Sequence, residues 1–181
     1  PDPHNGTPIV TDLGNPGAVF NNSAGHMEGV EVIKDDNGDW FVFIANGTLV
    51  RMELGPNITN NTPVCTRLAL PDQGMPMQIT ITKFGNEWVG FGGHHWGWLA
   101  RYDFGTSLAN TPAVFRFPTY GMMANPNYFA LHEDNGEWYM LLSNMLGGNL
   151  MRLSFGANLK NNNPAIQNLG NPGRFTSINR S

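Results

Sequence analysis

Short apolar runs separated by Gly-, Asn- and Pro-rich stretches extend along the whole chain, and no helical period persists over three turns. The runs fall into groups of four. In the first complete group they cover Gly29–Asp35, Asp39–Ala45, Thr48–Leu54 and Pro63–Leu70, here termed strands a, b, c and d. Strand b, Trp40-Phe41-Val42-Phe43-Ile44-Ala45, is apolar at every position, so both of its faces are expected to be buried. Asp36-Asn37-Gly38 and Asp134-Asn135-Gly136 link a to b and carry the residues of a tight hairpin turn. The pattern predicts four-stranded antiparallel sheets.

The group recurs. Asp39-Trp40, Glu87-Trp88 and Glu137-Trp138 return at intervals of 48 and 50 residues. Leu49-Val50-Arg51-Met52-Glu53-Leu54-Gly55 returns as Leu99-Ala100-Arg101-Tyr102-Asp103-Phe104-Gly105 and as Leu150-Met151-Arg152-Leu153-Ser154-Phe155-Gly156. Asn61-Thr62-Pro63, Asn110-Thr111-Pro112 and Asn162-Asn163-Pro164 follow in turn, and Asn5-Gly6-Thr7-Pro8 is an earlier copy. Leu13-Gly14-Asn15-Pro16-Gly17 matches Leu169-Gly170-Asn171-Pro172-Gly173. Four strands repeated about every 50 residues, with both faces of b buried, form the pattern of β-propeller blades.

The expected fold is all-β: a β-propeller of three four-stranded blades plus partial flanking repeats. Residues 1–13 would supply the outer strand of a preceding blade, 14–70, 71–118 and 119–169 the three blades, and 170–181 the start of the next repeat. A closed ring needs about 4–8 blades. The chain therefore reads as a piece of a larger ring of about six or seven blades. The alternative is a ring closed by a second copy, with the spare d strand exchanged. In either case the first and last blades should expose an apolar sheet face.

The repeat Gly38-Asp39-Trp40-Phe41-Val42-Phe43-Ile44-Ala45-Asn46, with Leu49–Gly55, Asn61–Val64 and Leu13–Gly17, resembles the tandem, NHL-like propeller repeats of large secreted proteins of Bacteroidota. Those proteins often end in a type IX secretion sorting domain or a gliding-motility-associated domain. The resemblance covers nearly the whole chain. It implies the propeller fold and export to the bacterial cell surface. It also implies partnership with the remaining blades or with other subunits of a surface assembly. No catalytic motif comes with it, so a non-enzymatic binding or adhesion module for glycan or protein is expected. A structural spacer without ligand is the alternative, and a propeller hydrolase of the lactonase kind the third reading.

Charge removes further classes. Only 13% of residues are charged, Lys and Arg number 10, and the formal net charge is −4. No basic face is available for phosphates, so no nucleic-acid partner is expected. No apolar run approaches ~18 residues, so no membrane insertion is expected either. The single cysteine, Cys65, stands where Val10, Val114 and Ile166 stand in the other copies, which reads as a packed thiol. No cofactor and no metal are expected.

The middle repeat departs from the others at Gly92-Gly93-His94-His95-Trp96-Gly97-Trp98, where the first has only Asn46-Gly47. Strand order places the b-to-c and d-to-a connections at one end of a propeller, so this segment should share a face with residues 14–28, 70–76 and 118–126. Ligand-binding residues concentrate on such loops. The candidate site is His94, His95, Trp96, Trp98, Asp72, Gln73 and Tyr120, with Met122 and Met123 beside them. The indoles would form an aromatic platform and the imidazoles and polar groups its hydrogen-bonding partners. Adjacent His94 and His95 should point to opposite faces of a strand, which disfavours joint metal chelation. The recurrent Trp40, Trp88 and Trp138 read as blade packing, and the recurrent Arg51, Arg101 and Arg152 as anchors between blades.

Overall fold

The computed structural model describes residues 10–20, 27–71, 76–118 and 123–172. They form three four-stranded antiparallel sheets, each a simple meander. Blade 1 holds β1 (Gly29–Lys34), β2 (Trp40–Ala45), β3 (Leu49–Gly55) and β4 (Val64–Arg67). Blade 2 holds β5 (Pro76–Phe84), β6 (Glu87–His94), β7 (Trp98–Gly105) and β8 (Ala113–Arg116). Blade 3 holds β9 (Pro126–Asp134), β10 (Glu137–Asn144), β11 (Asn149–Gly156) and β12 (Ala165–Gly170). The expected all-β arrangement of propeller-type blades is present. The first strands of successive blades touch, β1 with β5 and β5 with β9, so they lie innermost.

The recurrent Trp and Gly are the two sides of one bulge. Trp40, Trp88 and Trp138 each stand opposite Gly55, Gly105 and Gly156, and the register shifts at the next residue in all three sheets. Those glycines have φ of 67, 69 and 71°, a left-handed conformation that a side chain disfavours. The bulge ends strand c and starts the loop toward d.

Two cores lie between blades. Phe41, Phe43 and Leu49 of blade 1 meet Ile79, Ile81, Phe104 and Leu108 of blade 2. Phe91 and Leu99 of blade 2 meet Met140, Leu153, Phe155 and Leu159 of blade 3. β6, strand b of the middle blade, faces a neighbouring blade on both sides, which is why its interior positions carry no polar side chain. Arg51 donates to the carbonyls of Leu108, Ala109 and Asn110 of the next blade, at 2.5–3.2 Å. Arg101 donates likewise to Lys160 O at 2.7 Å and Asn162 Oδ1 at 2.9 Å.

Of the stretch expected to supply an outer strand, residues 1–9 lie outside the described residues and residues 10–13 are not in a strand. One expectation needs correction: the leading face of blade 1 is less open than expected. Val19 and Phe20 pack on its Ile44, Val50, Met52 and Leu54, held where Arg67 donates to Val19 O. Cys65 lies half-buried in the same cluster, and burial pushes its thiol pKa up. Among the described residues no helix is long and apolar enough to cross a membrane.

Candidate functional site

β6 runs to His94 and β7 starts at Trp98, so the connection between them is the short turn 95–97. The strand end separates the two histidines: His94 closes β6 and His95 opens the turn. His94 is buried and stacks on Trp98, with centroids 3.5 Å apart and planes 10° from parallel. Its Nε2 lies 2.9 Å from the Tyr102 hydroxyl. Burial pushes the Tyr102 phenol far above its ordinary pKa, so it stays neutral and serves as a hydrogen-bonding group. Trp98 is itself buried, with the Arg116 guanidinium 4.7 Å over its ring. His94 and Trp98 are thus packed inside the blade.

His95 and Trp96 point the other way. Trp96 is 68% exposed, and His95 meets its edge at 5.4 Å. His95 Nδ1 lies 3.3 Å from Asn125 Nδ2, which brings the start of blade 3 to the turn. Two close backbone approaches fix this junction. A Cβ on Gly93 would stand 2.1 Å from Pro126 O, and one on Gly97 would stand 2.8 Å from Met123 O. The third segment is the b-to-c connection of blade 3. Met145 N and Leu146 N donate to Asn125 O and Ala124 O, each at 3.0 Å. Asn144 Oδ1 accepts from Ala124 N at 2.6 Å, and its Nδ2 donates to Asn149 Oδ1 at 2.8 Å.

The b-to-c and d-to-a connections therefore share one end, and the junction of blades 2 and 3 there is lined by amides. Asn125 and Asn127 are buried, and the Oδ1 of each has no hydrogen-bond partner. Of the residues expected at this site, His95 and Trp96 present themselves at the surface, while His94 and Trp98 are buried. Asp72, Gln73, Tyr120 and Met122 lie outside the described residues. Sequence reasoning missed Asn125, Asn127 and Asn144. Asn144 was within reach, since Asn46, His94 and Asn144 occupy the same buried place at the end of strand b. Asn125 was not, because Asn-Pro reads as a turn.

Glu31 was missed as well. It lies half-buried on the innermost strand of blade 1, where an otherwise apolar pattern gave no signal. Its carboxylate accepts a bond from the Ile81 backbone, and burial outweighs that bond and raises its pKa. A parallel contact joins the next pair of inner strands. Gln78 donates Nε2 to Phe129 O at 3.1 Å and accepts Phe129 N at 2.7 Å. Among the described residues no group of three His, Cys, Asp or Glu is placed to hold a metal ion.

Several solved structures share this fold. An α-L-arabinofuranosidase from Podospora anserina, in complex with cellotriose, superposes with a TM-score of 0.55 at 13% identity, over 80% of this chain and 50% of that one. An exo-β-1,3-galactanase from Phanerochaete chrysosporium, with galactose, gives 0.54 at 11% identity, over 84% and 42%. The catalytic domain of an α-L-arabinofuranosidase from Coprinopsis cinerea gives 0.50 at 12% identity, over 69% and 45%. The chain thus spans half or less of the length of these structures. At such identities the likeness is one of fold. No protein-family model matches the sequence, and no curated protein does.

These matches overturn the resemblance to NHL-like repeats of Bacteroidota, and with it the type IX secretion, gliding-motility and adhesin readings. They also overturn the expectation of a non-enzymatic module, since the proteins sharing the fold are glycosidases. The physical reason lies in what carried the resemblance. The recurrent Trp, Gly, Arg and Leu form the bulges and seams that hold blades together. They report blade architecture and not lineage.

Proposed function

We propose that the chain belongs to a carbohydrate-active propeller enzyme, and that its b-to-c end at the junction of blades 2 and 3 receives a neutral sugar. The observation that carries this reading is the exposed Trp96, bordered by His95 and the amides of Asn125 and Asn127. An indole face stacks on the C–H surface of a pyranose or furanose, while amides and imidazoles exchange hydrogen bonds with hydroxyls. Two buried amide oxygens without partners are acceptors that hydroxyl donors would satisfy. The sugars named with the matching folds, cellotriose and galactose, are neutral and hydroxyl-rich.

Glycoside hydrolysis uses a protonated carboxylic acid and an ionised partner. Glu31 is the candidate acid: it stands on β1, the inner strand of blade 1 that meets the inner strand β5 of blade 2, and burial there favours its neutral form. Secretion belongs to the same proposal, since polymeric glycans lie outside the cell.

Affinity electrophoresis of the chain through gels containing arabinoxylan, β-1,3-galactan or the charged polymer polygalacturonate tests the site. Retardation by a neutral polymer is expected, and Trp96→Ala should weaken it by at least about tenfold with the sheets intact. Reducing-sugar release from the retained polymer tests catalysis; Glu31→Gln should abolish it and leave retention unchanged. Retardation by none of the neutral polymers, or retardation indifferent to Trp96→Ala, would overturn the site.

A further inference from the structure

The three blades turn from strand b to strand c in different ways. In blade 1 the connection, residues 46–48, is buried or half-buried throughout. In blade 2 it is 95–97 and carries the exposed Trp96. In blade 3 it is 145–148, one residue longer, and carries Met145 and Leu146, 55% and 72% exposed. Leu146 holds the second position of its turn, as Trp96 does in blade 2. Trp96 stays open although blade 3 packs against blade 2, so this position lies clear of a following blade. The exposure of Leu146 is therefore a property of the turn and not of its place in the stack.

The two turns lie on opposite edges of one segment. The edge of Met123 O and Asn125 N faces Gly97 of blade 2, and the Asn125 amide meets His95 Nδ1. The Ala124 edge faces blade 3: Ala124 N donates to Asn144 Oδ1, and Ala124 O accepts from Leu146 N. The Met145 sulfur is held as well, since Asn127 Nδ2 donates to it at 3.1 Å. Three chain segments thus run side by side, which separates the Trp96 and Leu146 turns by about two strand spacings, roughly 10 Å. Between them lie the buried amides of Asn125 and Asn127. Residues 95–97, 123–127 and 144–149 include no Asp, Glu, Lys or Arg.

We propose that Met145 and Leu146 form a second apolar subsite, and that the ligand is a neutral oligosaccharide of about three linked sugars lying across the seam from Trp96 to Leu146. This rests on the carbohydrate reading and extends it to the length of the substrate. One ring stacks on the Trp96 indole. A ring at the far end lays its C–H face on Leu146 and on Met145, whose thioether adapts to an irregular surface. The ring between them turns its hydroxyls to the amides of Asn125 and Asn127. A charged sugar would meet no counter-charge on these three segments, so the subsites select neutral chains.

Calorimetric titration of the intact chain with two neutral series, galactose to β-1,3-galactotetraose and xylose to xylotetraose, tests this. In at least one series the affinity should rise by at least about tenfold between the monosaccharide and the trisaccharide. Leu146→Ser should weaken trisaccharide binding by at least about fivefold and leave that of the monosaccharide unchanged, whereas Trp96→Ala should weaken both. Ile58→Ser, at an exposed position on the c-to-d connection of blade 1, should change neither. Circular dichroism checks that the sheets persist, and Leu146→Ala repeats the test should serine disturb the turn. A length gain in neither series, a gain indifferent to Leu146, or an equal loss from Ile58→Ser would overturn the second subsite and leave the sugar site standing. Binding of no saccharide in either series would overturn both.

Discussion

Glu31 shows how position on a blade sets the behaviour of a single carboxylate. Its strand is innermost, so the side chain is half removed from water; desolvation raises its pKa, and the Ile81 N–H lowers it by less. A carboxyl group whose pKa is higher in the folded chain stabilises the fold fully below the ordinary value of 4.5. That stability is lost as pH rises through the folded value. At neutral pH the ionised group is therefore a cost, which Glu31→Gln removes while its amide oxygen still accepts from Ile81. Thermal melts should show the variant more stable than the native chain at pH 7, with the gap closing below about pH 4.5. An equal gap at both pH values would contradict the assignment. Asp35 accepts from four donors, including Asp36 N at 2.5 Å, which makes its carboxylate a clasp between blades.

Among the strands, β6 has an end pinned from outside its own sheet. Gly93 pairs with Leu99 on one side and Gln78 on the other, and Pro126 O occupies the space a Cβ would need. Gly93→Ala must push β9 away from β6, and overpacking of this kind costs about 1–3 kcal/mol. For a chain of this size that lowers Tm by roughly 2–4 °C per kcal/mol, which calorimetry would resolve. The same substitution should loosen the Asn125–His95 contact and weaken sugar retention with Trp96 untouched. Elements of this kind divide what the sequence could and could not disclose. The strand groups, the hairpin turns and the recurrent Trp and Gly were legible, because each strand obeys local pattern and each blade repeats it. The burial of Trp98 was not legible, since it depends on His94 lying flat against it. Nor was the covering of blade 1 by Val19 and Phe20, which fall between repeats. Asn125 and Asn127 were hidden because their meaning comes from a neighbouring blade. The lineage was misread for a related reason: residues that make any blade stack are shared by propellers of different activities.

At the scale of the chain, and among the described residues, each blade packs on the blade next to it, so stability is distributed among sheets and the seams between them. The three recurrent arginines make this measurable, because their surroundings differ although their register does not. Arg101 is buried, paired with Asp103 at 2.9 Å and bonded to the turn of blade 3. Arg101→Ala leaves Asp103 and the Lys160 carbonyl without that partner, and removing one member of a buried pair costs about 3 kcal/mol. Arg152 holds the same strand position but has Ser154 where Arg101 has Asp103, and its guanidinium is exposed, so Arg152→Ala should change stability by no more than about 0.5 kcal/mol. The seam that Arg101 anchors also couples blade 3 to the others. Weakening it should therefore lower the cooperativity of unfolding as well as its midpoint. In urea, Arg101→Ala is expected to split a single transition into two when followed by tryptophan fluorescence, with Trp138 reporting the early one. Arg152→Ala should keep one transition at the native midpoint. Equal losses from both substitutions would mean that the arginines act within their own strands, and the seam would no longer explain why the residue recurs.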